Sequence, residues 1–148
     1  MAGYERPTQW ELDTVRGPRR GTLILRDTVM FFQHAEIGDL GIYNRRPAGS
    51  SALAGRPVTV ANASVHAVGR AWNPHPVSKA VGDLLVWRLC AAWEFLGLCE
   101  IIWYGARTTD GKNWKRYTGP DPHKTHPHVA HTIAMADNQA PRDELIRW

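Results

Sequence analysis

Residues 83–104 read DLLVWRLCAAWEFLGLCEIIWY, and this stretch decides the fold class. Leu85, Leu89, Trp93 and Leu96 recur at helical spacing, which makes one face of a helix apolar and fit to pack on a core. Asp83, after Gly82, is placed to cap the start of that helix, and Gly97 to stop it after Leu96. Glu100 to Tyr104 (EIIWY) follows at once and predicts a strand, because its residues are β-branched and aromatic.

Outward from this unit, His128–Ile133 predicts a further strand, and Val58–Trp72 predicts strand structure on either side of a bend at Gly69. Asn73-Pro74-His75-Pro76 predicts a break in regular structure. Gly21–Phe32 is apolar, but the run is too short for periodicity to choose between helix and strand. The first twenty-one residues read as an arm or a short capped helix, and Arg142–Trp148 as a short helical end. The expectation is one α+β domain over residues 1–148, a small antiparallel sheet with one main covering helix.

With 148 residues, 43% of them hydrophobic and 22% charged, the chain has room for one core, and the composition excludes wholesale disorder. The longest apolar run, Leu84–Leu98, contains Arg88 and Glu94, so no membrane span is expected. The opening MAGYERPTQWELD lacks a basic-then-apolar pattern, so no signal peptide is expected; the protein is expected to be made in the cytoplasm. The net charge is +4, and the basic pairs Arg19-Arg20 and Arg45-Arg46 stand apart without interleaved aromatics. That pattern reads as a solvated basic surface, and a nucleic-acid partner is not expected. Cys90 and Cys99 read as two buried thiols, with a disulfide across the helix–strand turn as the alternative. Two cysteines without a Cys-x-x-Cys exclude a cysteine zinc finger.

Four of the seven histidines, His123, His126, His128 and His131, fall within nine residues after a Pro/Gly loop. Such crowding suits a metal better than it suits a core. On a regular strand His126 and His128 share a face, whereas His128 and His131 do not. Upstream, Ser64 to Asn73 has the form S-x-H-x-x-G-x-A-x-N.

These two segments together resemble the zinc D-alanyl-D-alanine carboxypeptidases and L-alanyl-D-glutamate endopeptidases of bacterial cell walls and phage lysins. Their motif is S-x-H-x-x-G-x-A-x-D, followed by a later His ligand with an acidic residue three positions before it. The order of a Tyr-x-x-Arg loop (Tyr43 to Arg46), the His motif, the Leu-Gly-ended helix, the IIW strand, a Tyr-Thr-Gly-Pro loop and the His-x-His strand is similar as well, over roughly residues 40–133. The resemblance implies a hedgehog-like, D-Ala-D-Ala-peptidase-like fold and Zn2+ as cofactor. It implies His66, Asn73 and His128 as metal ligands, and Arg46 (or Arg45) on a substrate carboxylate or the scissile carbonyl.

Two positions depart from the family pattern: Asn73 replaces the aspartate ligand and Thr125 the acidic base. The chemistry expected is hydrolysis of peptidoglycan stem peptides, with His126 or His123 taking the proton that Thr125 cannot. His75, His123 and His131 are the possible substitute ligands, and a register with His131 as last ligand puts His128 at the base position. Trp114 and Tyr43 are expected to line a substrate groove. The partner expected is a peptidoglycan peptide, reached through phage lysis or as part of a virion. The alternative is a catalytically decayed member of the same fold that binds cell wall or serves as a phage structural protein among other virion proteins.

Overall fold

The computed structural model describes residues 3–33, 35–45 and 56–137. Arg46 and the Arg142–Trp148 helical end lie outside the described residues. The chain begins with α1 (Gln9–Thr14). Thr8 caps it through a reciprocal capping box: the Thr8 hydroxyl accepts from the Glu11 N–H, and the Glu11 carboxylate accepts from the Thr8 N–H. The undecided run 21–32 is helical, within α2 (Arg20–Gln33). Gly21, Thr22, Leu25 and Val29 bury one stripe of it.

Two short strands follow, β1 (Ile37–Asp39) and, beyond a 3-10 turn at Val65–Val68, β2 (Ala71–Trp72). Most of 58–72 is therefore turn rather than strand. Ser64 caps the 3-10 turn, and Gly69 ends it in the left-handed region at φ 68°. Residues 74–76 do not break regular structure: Pro74–Pro76 forms β3, antiparallel to β1 with Gly38 opposite His75. Proline is tolerated there because this is an isolated two-stranded pair, where a missing N–H can face away from the partner.

Helix α3 (Lys79–Ala91) starts earlier than its sequence suggests, because Ser78, not Asp83, is its N-cap. Gly82 lies inside the helix as a packing residue. A Cβ there would come within 2.4 Å of the Trp103 indole, so glycine lets the helix sit against the sheet. Asp83 instead accepts from Trp103 Nε1 at 2.8 Å and pairs with Lys79 at 2.6 Å. After Ala92 a separate turn, α4 (Trp93–Leu96), ends at Gly97, as expected. The rest comprises β4 (Leu98–Trp103), β5 (Ala106–Thr108), β6 (Trp114–Arg116), β7 (His128–His131) and α5 (Ile133–Ala136).

The main sheet runs β2-β7-β4-β5-β6, with every pair antiparallel, so the architecture is α+β. Its two faces do different work. Trp72, Ile101, Trp103 and Val129 join Leu25 and Val29 of α2, Leu85 and Leu89 of α3, and Trp93 and Leu96 of α4 in the main core. The cover is thus α2 together with α3–α4, not one main helix. Three indoles, Trp72, Trp93 and Trp103, are buried in this core. On the other face, Ala71, Cys99 and Ala130 pack with Leu12 and Val65–Val68 beside a pocket. Cys90 and Cys99 are both free and form no bridge, and of the two only Cys99 is buried, Cys90 being half-buried. Among the described residues no helix is long and apolar enough to cross a membrane.

Candidate metal centre

The S-x-H-x-x-G sequence has a local physical meaning. Ser64 Oγ accepts the His66 N–H at 3.2 Å and opens the 3-10 turn, while Gly69 closes it. A Cβ on Gly69 would sit 2.3 Å from the Gly17 carbonyl oxygen, so glycine is needed for space as well as for φ. Arg70, fully buried, anchors this turn: Nε donates to Glu11 at 2.7 Å and Nη1 to the His131 carbonyl at 2.7 Å. Glu11 also takes Arg19 at 2.8 Å, so one buried carboxylate of α1 holds both arginines, and Arg70 carries the link on to β7.

His66 Nδ1 lies 2.6 Å from the Ile42 carbonyl oxygen. A carbonyl only accepts, so Nδ1 carries the proton and Nε2 presents a lone pair to the pocket. That Nε2 is 3.0 Å from Asn73 Oδ1 and 3.1 Å from His128 Nδ1. His128 in turn points Nε2 at Glu100 Oε1, 3.3 Å away, so an N–H belongs on that side; in the neutral ring the Nδ1 lone pair then faces His66, and in the charged ring Nδ1 donates to it. With both rings neutral, three electron-pair donors converge. At 3.0 and 3.1 Å both contacts are of hydrogen-bond length, and a tetrahedral ion with bonds of about 2.0–2.2 Å would need them to open to roughly 3.3–3.6 Å. The donor set of two imidazoles and an amide oxygen, with a carboxylate and a carbonyl orienting the rings from behind, fits a zinc-type ion.

Sequence reasoning missed Glu100 in this role, and the reason is a bulge. Leu98 pairs with His131 but Glu100 pairs with Ala130, so Cys99 is an extra residue in β4. Without it Leu98 and Glu100 would share a face; with it Leu98 enters the helix-side core and Glu100 turns to the pocket beside Ile102. Glu100 also takes Arg107 Nε at 2.5 Å, and the Arg107 guanidinium stacks 4.9 Å from the Tyr4 ring centroid. Burial alone would raise the Glu100 carboxyl, but its His128 hydrogen bond, with His128 and Arg107 charge, outweighs that and holds it below the ordinary carboxylate value. A carboxyl embedded in the apolar EIIWY strand was the only signal for it.

The pocket encloses about 290 Å³ and also takes in Asp121, His123, His126 and Tyr117. His123 is buried, and desolvation together with the charge at His128 pushes it down to about 4, so it is neutral near pH 7. His126 is lowered as well, by desolvation first, with His128 and His75 opposing the Asp121 charge.

The other expected site residues lie elsewhere. Thr125 is exposed and reaches the pocket only through His126, its hydroxyl 2.9 Å from Nδ1. His131 is on the helix-side face of β7, 3.3 Å from Thr22 Oγ1, so it is not a substitute ligand for this pocket; strand parity puts it there. His75 is exposed on β3 and does not line the pocket. Trp114 pairs with Thr108, on the face opposite Arg107, and Tyr43 is half-buried outside the pocket lining, so neither forms the groove. Arg45 donates to the Leu12 carbonyl at 2.9 Å rather than into the pocket. Among the described residues, the arginine that lines the pocket is Arg107. No family model, no curated protein and no solved structure matches the chain.

Proposed function

We propose that the chain is a zinc-dependent, peptidase-like protein of the D-alanyl-D-alanine carboxypeptidase and L-alanyl-D-glutamate endopeptidase kind, with the hedgehog-like fold of that family, acting on peptidoglycan stem peptides. One observation carries the reading: His66 Nε2 within 3.1 Å of both Asn73 Oδ1 and His128 Nδ1, with both rings oriented from behind. His66, Asn73 and His128 would hold the ion, which when bound supplies Lewis acidity for hydrolysis. The Ile42 carbonyl and Glu100 keep the two imidazoles in the ligating tautomer. His126 takes the proton from water at Nε2, with the Thr125 hydroxyl 2.9 Å from Nδ1 able to accept the N–H there. Arg107, about a third exposed and tied to Glu100 through Nε, offers its remaining N–H groups to a substrate carboxylate.

A second reading keeps the scaffold without turnover, as a cell-wall-binding or virion component. Asn73 at the aspartate position favours it, since a neutral amide holds zinc less well than a carboxylate. The test is peptide-bond cleavage in purified peptidoglycan by protein carrying one equivalent of zinc, with His66→Ala as control. Release of new amino termini that stops in the variant supports the peptidase. Retention on sacculi without any new amino termini, by protein that holds zinc, transfers the case to the second reading.

A further inference from the structure

We propose that Asp121, His123 and His126 form a second site for a divalent transition-metal ion, in the same pocket but separate from the His66–Asn73–His128 set. One ligating atom from each of the three residues lies within 4.8 Å of the other two. Asp121 Oδ2 and His126 Nε2 are 3.6 Å apart, too long for the hydrogen bond they would otherwise make. Bonds of about 2.0–2.2 Å in a tetrahedral site put ligand atoms roughly 3.3–3.6 Å apart, so this pair already has the spacing that an ion between them needs.

The tautomers agree with that reading. His123 Nδ1 lies 2.7 Å from the Asp121 carbonyl oxygen, so it donates there and Nε2 carries the lone pair. His126 Nδ1 lies 2.9 Å from the Thr125 hydroxyl, which can accept its N–H; in that tautomer Nε2 is the electron-pair donor on the Asp121 side. The loop is anchored, because the carbonyls of Pro122 and His123 accept from Gly105 at 2.7 Å and from Tyr104 at 3.1 Å. Two imidazoles and one carboxylate select a zinc-type ion over calcium or magnesium, which prefer all-oxygen sites. The site stands on its own residues and does not rest on the peptidase reading. Where His126 is the base, the ion and the proton compete for the same Nε2, so filling this site switches the base off.

The experiment is isothermal titration of the metal-free full chain with zinc, comparing wild type with the Asp121→Asn/His126→Ala double variant and with His66→Ala. Both substituted side chains are partly exposed, and far-UV circular dichroism checks that the variant is folded. The expected result is two ions in wild type and one in the variant. An equal number in both overturns the second site, and a single ion that His66→Ala removes would leave the proposed function intact. A single ion that only the Asp121→Asn/His126→Ala change removes would establish the Asp121 site and sink the peptidase reading.

Discussion

Replacing Glu100 with glutamine separates the orienting carboxylate from the ligands themselves. Glu100 Oε1 stands 3.3 Å behind His128 Nε2, and Oε2 is 2.5 Å from Arg107 Nε. Glutamine keeps one acceptor oxygen but loses the charge, and it cannot serve both His128 and Arg107 without turning its amide N–H groups toward one of them. Loss of such a partner behind a metal-ligating histidine costs about 10- to 100-fold in metal affinity, or roughly 1.4–2.7 kcal/mol. Because the acceptor survives, Glu100→Gln belongs near the low end, about tenfold, and Glu100→Ala near the high end, about a hundredfold. The side chain of Arg107 is 36% exposed, so water takes over its solvation and the metal-free fold is retained. Competition with a chromophoric zinc chelator measures the affinity at pH 7. Zinc binding by Glu100→Gln as tight as wild type would refute the claim that Glu100 holds the His128 tautomer for a metal.

Glu11→Gln leaves the buried Arg70 without its counter-charge, so about 3–5 kcal/mol of stability is lost and thermal unfolding falls by on the order of 10 °C; a shift of a degree or two would contradict the buried network. Asn73→Asp places a carboxylate where the amide oxygen now meets His66, and zinc affinity rises above wild type by chelator competition; equal or weaker binding would remove residue 73 from the ligand set. Burial pushes the Cys99 thiol from 9.0 up to about 11, so the unfolded chain releases that proton first as pH rises. Its contribution is complete below about pH 9 and is lost between about 9 and 11, a decline that urea titrations show in wild type and that Cys99→Ala lacks.

The parts of the site that were legible in the sequence are those with local causes. Ser64 and Gly69 bracket His66 within a single turn, and Asn73 follows two residues of strand, so spacing alone carries their relation. Strand parity correctly separated His128 from His131. Glu100 was hidden because the bulge at Cys99 reverses the parity of β4, and a bulge is set by pairing with β7, not by local sequence. Arg107 joined the site through its register opposite Ile102, again a property of the sheet. Gly82 and Pro74–Pro76 misled for the same reason. Each is a breaker by propensity, overridden by packing against Trp103 and by pairing with β1.

The most direct test of the central claim is anomalous diffraction at the zinc edge from crystals of the zinc-loaded protein. The account predicts a peak bonded to His66 Nε2 and His128 Nδ1, with Asn73 Oδ1 completing the protein ligands. Zinc found in the crystal with no density between those three atoms would contradict it.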